Sequence, residues 1–193
     1  MSLTPEQRTE TLERHLHDHG HIDHESIDDA VADATAGNGP SAALGARIVA
    51  RAWVDPEFRG RLLADAVGTA AEYQQQRVPL AVLEDTPTVH HVIVCTLCSC
   101  YPWAVMGLPP TWYKMPAYRS RTVAEPRRVL AEFGLSIPES REIRVWDSSA
   151  ELRYMVLPER PAGSQAMGEA ELIPLITRDA LIGVADVRLS SPA

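Results

Sequence analysis

All three cysteines of the chain fall within one short run, Cys95-Thr96-Leu97-Cys98-Ser99-Cys100. A disulfide framework ties distant segments and uses thiols in pairs, whereas these are local and odd in number. Metal ligation suits the spacing better, because three neighbouring sulfurs can cover one face of an ion. A closed zinc site takes four ligands, so structural zinc needs a further donor such as His90 or His91, and a redox or inert role also stays open on spacing alone. The backbone adds a second consideration. Only Ser99 separates Cys98 from Cys100, so an ion held by both sulfurs stands over the peptide nitrogens of Ser99 and Cys100. Amide nitrogens become ligands only for a strongly Lewis-acidic ion, which favours trivalent cobalt or iron over zinc. Two nitrogens and two sulfurs in a plane leave Cys95 to cap one axial position. The opposite position stays open to water or a small substrate, an arrangement suited to hydrolysis or hydration.

The rest of the chain must position that run. At 193 residues, with 45% hydrophobic and 23% charged residues and no long apolar run, the composition excludes collagen-like, wholly disordered and membrane-spanning classes. The formal net charge of −8 is the wrong sign for a binder of the phosphate backbone, so nucleic acid is excluded as an expected partner. Met1 to Arg14 carries charges and no apolar stretch of signal-peptide type, so the expected compartment is the cytoplasm.

Thr4-Pro5-Glu6-Gln7 combines a capping residue, an initial proline and a glutamine, which predicts a helix running to about Gly20. Its apolar stripe, mainly Leu12 and Leu16, is too thin to bury much, so it reads as an arm. A weak helical pattern covers 26–36. Strong helical periodicity runs from Ala42 to Val54, and Asp55-Pro56 restarts a helix expected to end near Gln74. Short β-prone runs follow at Leu80 to Leu83 and Val89 to Val94, then a proline-chopped middle with a helix from Pro126 to Phe133 ended by Gly134. Two more strands are expected at Glu142 to Trp146 and Arg153 to Leu157. A last helix from Glu169 to Ile182 should break or bend at Pro174. The fold class is therefore α+β, with residues 1–75 forming a helical arm and helices and residues 76–193 an α+β metal-binding domain within one structural unit.

The run Val94-Cys95-Thr96-Leu97-Cys98-Ser99-Cys100-Tyr101-Pro102 closely resembles the metal motif of the nitrile hydratase α subunit. Ala46 to Pro56, Gly107 to Lys114, Val129 to Leu135, Glu142 to Ser148 and Tyr154 to Pro161 are similar to that family in the same order, so the resemblance spans roughly residues 41–185. It implies a layered α-β-β-α domain and a hydro-lyase that turns a nitrile into the amide. It implies Cys95 as the axial thiolate, Cys98 as the cysteine that becomes sulfinic acid, Cys100 as the one that becomes sulfenic acid, and the amides of Ser99 and Cys100 as the nitrogen ligands. Thr96 matches the cobalt members and serine the iron members, which implies non-corrin Co(III) rather than Fe(III). The implied partners are a β subunit supplying arginine donors and a metallochaperone or activator. A thiocyanate hydrolase γ subunit, which shares the motif, is the nearest alternative, and a structural zinc module is another.

Gln76 lies where the family carries a catalytic glutamine before the motif, although Arg77 and Val78 replace the glycine and glutamate that usually follow it. Ala104 stands where proline is common and Ser164 where threonine is usual. His15, His17, His19, His21 and His24 form a run with two i,i+4 pairs that read as a solvated arm or a transient metal trap. His90 and His91 receive no ligand role. Trp103, Trp112, Tyr113 and Tyr118 are read chiefly as packing residues, with a substrate pocket as the other use. Arg153 and Arg160 are candidates for intersubunit hydrogen bonds.

Overall fold

The computed structural model describes residues 11, 14, 15, 17–20, 42–73, 79–98 and 100–189. They fall in two compact units, Met1–Gly39 and Pro40–Ala193. In the first, Thr11, Arg14, His15, His17 and Asp18 are helical, and Gly20 closes the turn at φ 67°, its N–H donating to the His17 carbonyl at 3.0 Å. The expected start of this helix at Thr4 and the pattern at 26–36 lie outside the described residues.

In the second unit α1 spans Ala42–Val54 and buries Ala46, Ile48, Val49, Ala50 and Ala52. Asp55 then accepts the Phe58 N–H at 2.9 Å and, with Pro56 at the first helical position, starts α2, Pro56–Ala64. The single helix expected beyond it does not form. Asp65 ends α2 and, accepting the Gly68 N–H at 2.9 Å, starts α3, Ala66–Ala70. An aspartate that captures the amide three residues on offers the backbone an alternative to continuing the helix, and apolar periodicity does not register it.

Strands β1, Leu80–Glu84, and β2, Val89–Val94, come next, followed by α4, Trp103–Met106, and a 3₁₀ turn, Thr111–Lys114. Helices α5, Pro116–Ala124, and α6, Pro126–Glu132, each open on proline. Strands β3, Glu142–Asp147, and β4, Arg153–Leu157, precede α7, Glu169–Leu172. A 3₁₀ turn, Ile173–Leu175, holds Pro174 and separates α7 from α8, Arg178–Ile182, which is the break the proline implied.

The strands pair across the sequence. β1 lies parallel to β4, from Leu80 opposite Arg153 to Glu84 opposite Leu157. β2 lies parallel to β3, from Val89 opposite Glu142 to Val94 opposite Asp147. β2 is buried continuously from His90 to Val94, as a parallel strand covered on both faces should be. Helices α1, α7 and α8 pack together, α8 and α5 reach β2, and α2 and α3 cover β1. Because β2 and β3 run parallel and finish level, the cysteine run leaves the sheet beside the residues that follow β3. Among the described residues, no helix is long and apolar enough to cross a membrane.

One close approach locks α8 onto β2. Gly183 follows α8 at φ 89°, a left-handed conformation that costs other residues about 1–2 kcal/mol. A Cβ there would meet the His91 carbonyl oxygen at 2.0 Å. Gly183→Ala should therefore combine backbone strain with a forced shift of β2 and destabilise the protein by about 3 kcal/mol. Urea denaturation should show this as a lower midpoint, and an unchanged midpoint would contradict the packing described.

Candidate metal centre

β2 delivers the cysteines. Cys95 follows Val94 directly and is buried, while Cys98 is exposed and Cys100 half-buried. Their ligating sulfurs all lie within 4.8 Å of one another, with Cys95 Sγ 3.3 Å from Cys98 Sγ and Cys98 Sγ 2.9 Å from Cys100 Sγ. The Cys98 N–H donates to Cys95 Sγ at 3.4 Å and tightens the turn. The Cys98 thiol and, after it, burial push the Cys100 thiol up to about 12. Three sulfur donors brought this close can meet a single ion, so the donor set fits a thiophilic metal. Ser99 and Gln76 lie outside the described residues.

Long-range contacts hold the turn. Val94 accepts the Ser148 N–H at 2.7 Å. Asp147, at the end of β3, accepts the Thr96 N–H at 2.9 Å and the Thr96 hydroxyl at 2.5 Å. From α5, Arg119 donates from Nε to the Cys95 carbonyl at 2.8 Å and from Nη2 to the Thr96 carbonyl at 2.5 Å. Tyr113 donates to the Cys100 carbonyl at 3.1 Å, and Tyr118 to the Ile93 carbonyl at 2.7 Å. Burial pushes both phenols above their ordinary range, so both remain neutral donors.

Arg119 and Asp147 carried no local signal in the sequence, because each acts on residues more than twenty positions away. The aromatic residues divide. Trp112 packs edge-on against Tyr118 and Phe133 at 4.8 and 4.7 Å between ring centroids, and Tyr113 and Tyr118 are buried, so these three are core residues. Trp103 stays exposed just after the turn. Arg160 is engaged within the chain. It donates to the carbonyls of Trp53 at 2.9 Å, Ser164 at 2.7 Å and Met167 at 3.0 Å, tying the segment after β4 to α1. His19 Nδ1 is spent on the His15 carbonyl at 2.7 Å, and His21 and His24 lie outside the described residues.

Residues 4–185 match the family model described as nitrile hydratase, alpha chain. The chain is 55% identical over 181 residues to the low-molecular weight cobalt-containing nitrile hydratase subunit alpha of Rhodococcus rhodochrous, covering 92% of this chain and 86% of that one. It is 46% identical over 158 residues to the thiocyanate hydrolase subunit gamma of Thiobacillus thioparus, covering 72% of this chain and 63% of that one. In structure it is similar to a doubly substituted Fe-type nitrile hydratase from Comamonas testosteroni Ni1, with a TM-score of 0.88, 40% identity, and coverage of 97% and 95%.

His90 and His91 do not approach the sulfurs as ligands; both turn to Asp85. His90 Nδ1 lies 2.9 Å from Asp85 Oδ2 and its Nε2 meets the Gly183 carbonyl at 2.8 Å. His91 reaches Asp85 Oδ1 through Nδ1 at 3.1 Å and through its backbone N–H at 2.7 Å. Burial alone pushes the Asp85 carboxyl up, but the two histidines outweigh it and hold the group below its ordinary value. A depressed carboxylate stabilises the fold fully above its unfolded-state value and loses that contribution as pH falls through the folded-state value. Asp85→Ala should therefore cost about 3 kcal/mol at neutral pH. Denaturation measured across pH should show the gap from the parent narrowing below about pH 4, and a gap independent of pH would contradict the assignment.

Proposed function

The chain belongs to the nitrile hydratase α-chain family, and on that premise we propose that it is the catalytic α subunit of a cobalt nitrile hydratase, which adds water to a nitrile and yields the amide. The observation that carries this reading is the convergence of the Cys95, Cys98 and Cys100 sulfurs in a turn with threonine at position 96. Cys95, Cys98 and Cys100 hold the ion through sulfur, and Ser99 and Cys100 through their backbone nitrogens. Bound there, trivalent cobalt supplies Lewis acidity toward the nitrile or the attacking water. Cys95 anchors the site from the buried side, while the exposed Cys98 and half-buried Cys100 face the side from which substrate arrives. The sulfinate on Cys98 and the sulfenate on Cys100 that the family resemblance implies, formed with dioxygen as the oxidant, would place oxygens there either to orient and deprotonate a water or, at Cys100, to attack the nitrile carbon directly. Gln76 belongs to the same catalytic set on the strength of its position before the motif. Residues 76–193 carry the chemistry, the helices of residues 42–70 pack against that domain, and the arm of residues 1–20 serves assembly.

A β subunit completes the site. Two oxidised sulfurs bring negative charge to a partly buried position, and such charge needs donors. Arg119 spends Nε and Nη2 on carbonyls of the turn, so the neutralising donors come from outside. Apolar side chains at and beyond the turn are left uncovered, with Leu97 91%, Leu108 66% and Met115 52% exposed, as a partner surface requires. A metallochaperone or activator loads the ion before that surface is covered, and assembly takes place in the cytoplasm.

Co-expression with the β subunit and assay on nitriles tests the reading, with thiocyanate as the parallel substrate. Amide formation supports nitrile hydratase, whereas consumption of thiocyanate alone supports the hydrolase. Active complex should hold about one cobalt per chain, and intact mass should show two oxygens on Cys98 and one on Cys100. Cys98→Ala and Cys100→Ala should abolish turnover, and Cys95→Ala should cost metal retention. Stoichiometric zinc with unmodified thiols in active enzyme would overturn the metal assignment, and full activity of the isolated, cobalt-loaded chain would overturn the partner requirement.

A further inference from the structure

The Cys95 carbonyl and the Thr96 N–H belong to one peptide unit. That unit is planar and trans, so its carbonyl and N–H point in opposite directions. Arg119 Nε donates to the carbonyl end at 2.8 Å, and Asp147 Oδ1 accepts from the N–H end at 2.9 Å. One soft motion is open to a planar unit between two Cα atoms, a swivel that changes ψ of Cys95 and φ of Thr96 in opposite senses. Bonds at both ends stop it. Each residue holds on at a second point, Arg119 through Nη2 on the Thr96 carbonyl and Asp147 through Oδ2 on the Thr96 hydroxyl, so neither can pivot about its first bond. On the other side of Cys95, the Val94 carbonyl is pinned by the Ser148 N–H at 2.7 Å. Both peptide units flanking Cys95 are thus held, and its Cα–Cβ direction is set before any ion arrives.

The two grips come from elements far apart in the chain, α5 and the end of β3, and both bonds involve a charged partner. Charge-assisted hydrogen bonds of this kind are roughly twice as strong as neutral ones. The guanidinium supplies two N–H groups of a rigid fork, which an ammonium cannot reproduce. We propose that Arg119 and Asp147 are positioning residues that clamp the Cys95–Thr96 peptide unit from opposite ends and so aim the Cys95 sulfur at the metal. The inference rests on the reading of the cysteine turn as a cobalt site. It also gives the Thr96 hydroxyl a task in the outer support rather than contact with the ion.

The test uses the co-expressed complex carrying Arg119→Gln, Arg119→Lys or Asp147→Ala. Four quantities are read: cobalt retained against a chelator, the sulfur-to-cobalt absorption band, kcat and KM separately, and the thermal midpoint of the metal-free complex. Arg119→Gln and Asp147→Ala should each weaken cobalt retention by about tenfold or more, the range found for residues that orient metal ligands. They should shift the absorption band and lower kcat with little change in KM, at an unchanged metal-free midpoint. Arg119→Lys keeps the charge without the fork and should fall between the parent and Arg119→Gln. Where Arg119→Gln fails to assemble, Arg119→Lys and Asp147→Ala still decide the matter. Retention and absorption equal to the parent in the assembled variants would overturn the clamp, as would losses that merely follow a fall in the metal-free midpoint. A parent complex that takes up no cobalt would overturn the metal reading and this inference with it, whereas a loaded parent with equally loaded variants overturns the clamp alone.

Discussion

Three sulfur donors lie within 4.8 Å of one another, and as thiolates they would repel unless a cation lay among them. A flexible peptide would relieve that conflict by spreading its thiols apart. The convergence therefore has to be imposed by structure outside the turn, and much of the fold bears on that requirement. β2 is buried on both faces and cannot retreat. β3 runs beside it in register, so the chain leaving β2 meets Asp147 and Ser148 as it emerges. α5 contributes Arg119 from the other side.

The same requirement explains why the polar groups around β2 are so fully employed. Asp85 draws both histidines of β2 away from the sulfurs and binds the backbone of His91, which fixes the start of the strand whose end carries the cysteines. Gly183 allows α8 to touch the strand backbone at His91, where any side chain would push β2 aside. Tyr113 and Tyr118 direct buried hydroxyls to carbonyls at Cys100 and Ile93, on either side of the turn. These interactions are modest one by one, and together they leave the turn little freedom to relax.

The turn remains open on one side. Leu97, between the first two cysteines, is almost wholly exposed, and the apolar residues beyond it are uncovered as well. A site that is rigid beneath and bare above is consistent with the proposed second subunit as its remaining wall. It also leaves the exposed Cys98 reachable by an ion from solvent.

The chemistry of the site was legible in the sequence because it is local. Cys95, Cys98 and Cys100 lie within a few residues of each other and point to metal ligation without any knowledge of the fold, while Thr96 points to cobalt through the family resemblance. Helix starts at Asp55-Pro56 and the break at Pro174 were legible for the same reason, since caps and prolines act on their immediate neighbours. The second helix start at Asp65 was not read, because it required recognising that a single carboxylate would capture the Gly68 amide in preference to a continuing helix. Which strands pair, which carboxylate takes up His90 and His91, and which residues grip the Cys95–Thr96 peptide unit were decided only by the tertiary structure. β2 could have paired with β1 across a four-residue connection, yet it pairs with β3, a choice that no local pattern in either strand encodes. Asp147 and Arg119 stand 51 and 23 residues from Thr96, and no periodicity or spacing links them to it. Donor identity is a property of residue type and short spacing, whereas donor orientation depends on contacts that exist only once distant segments have packed.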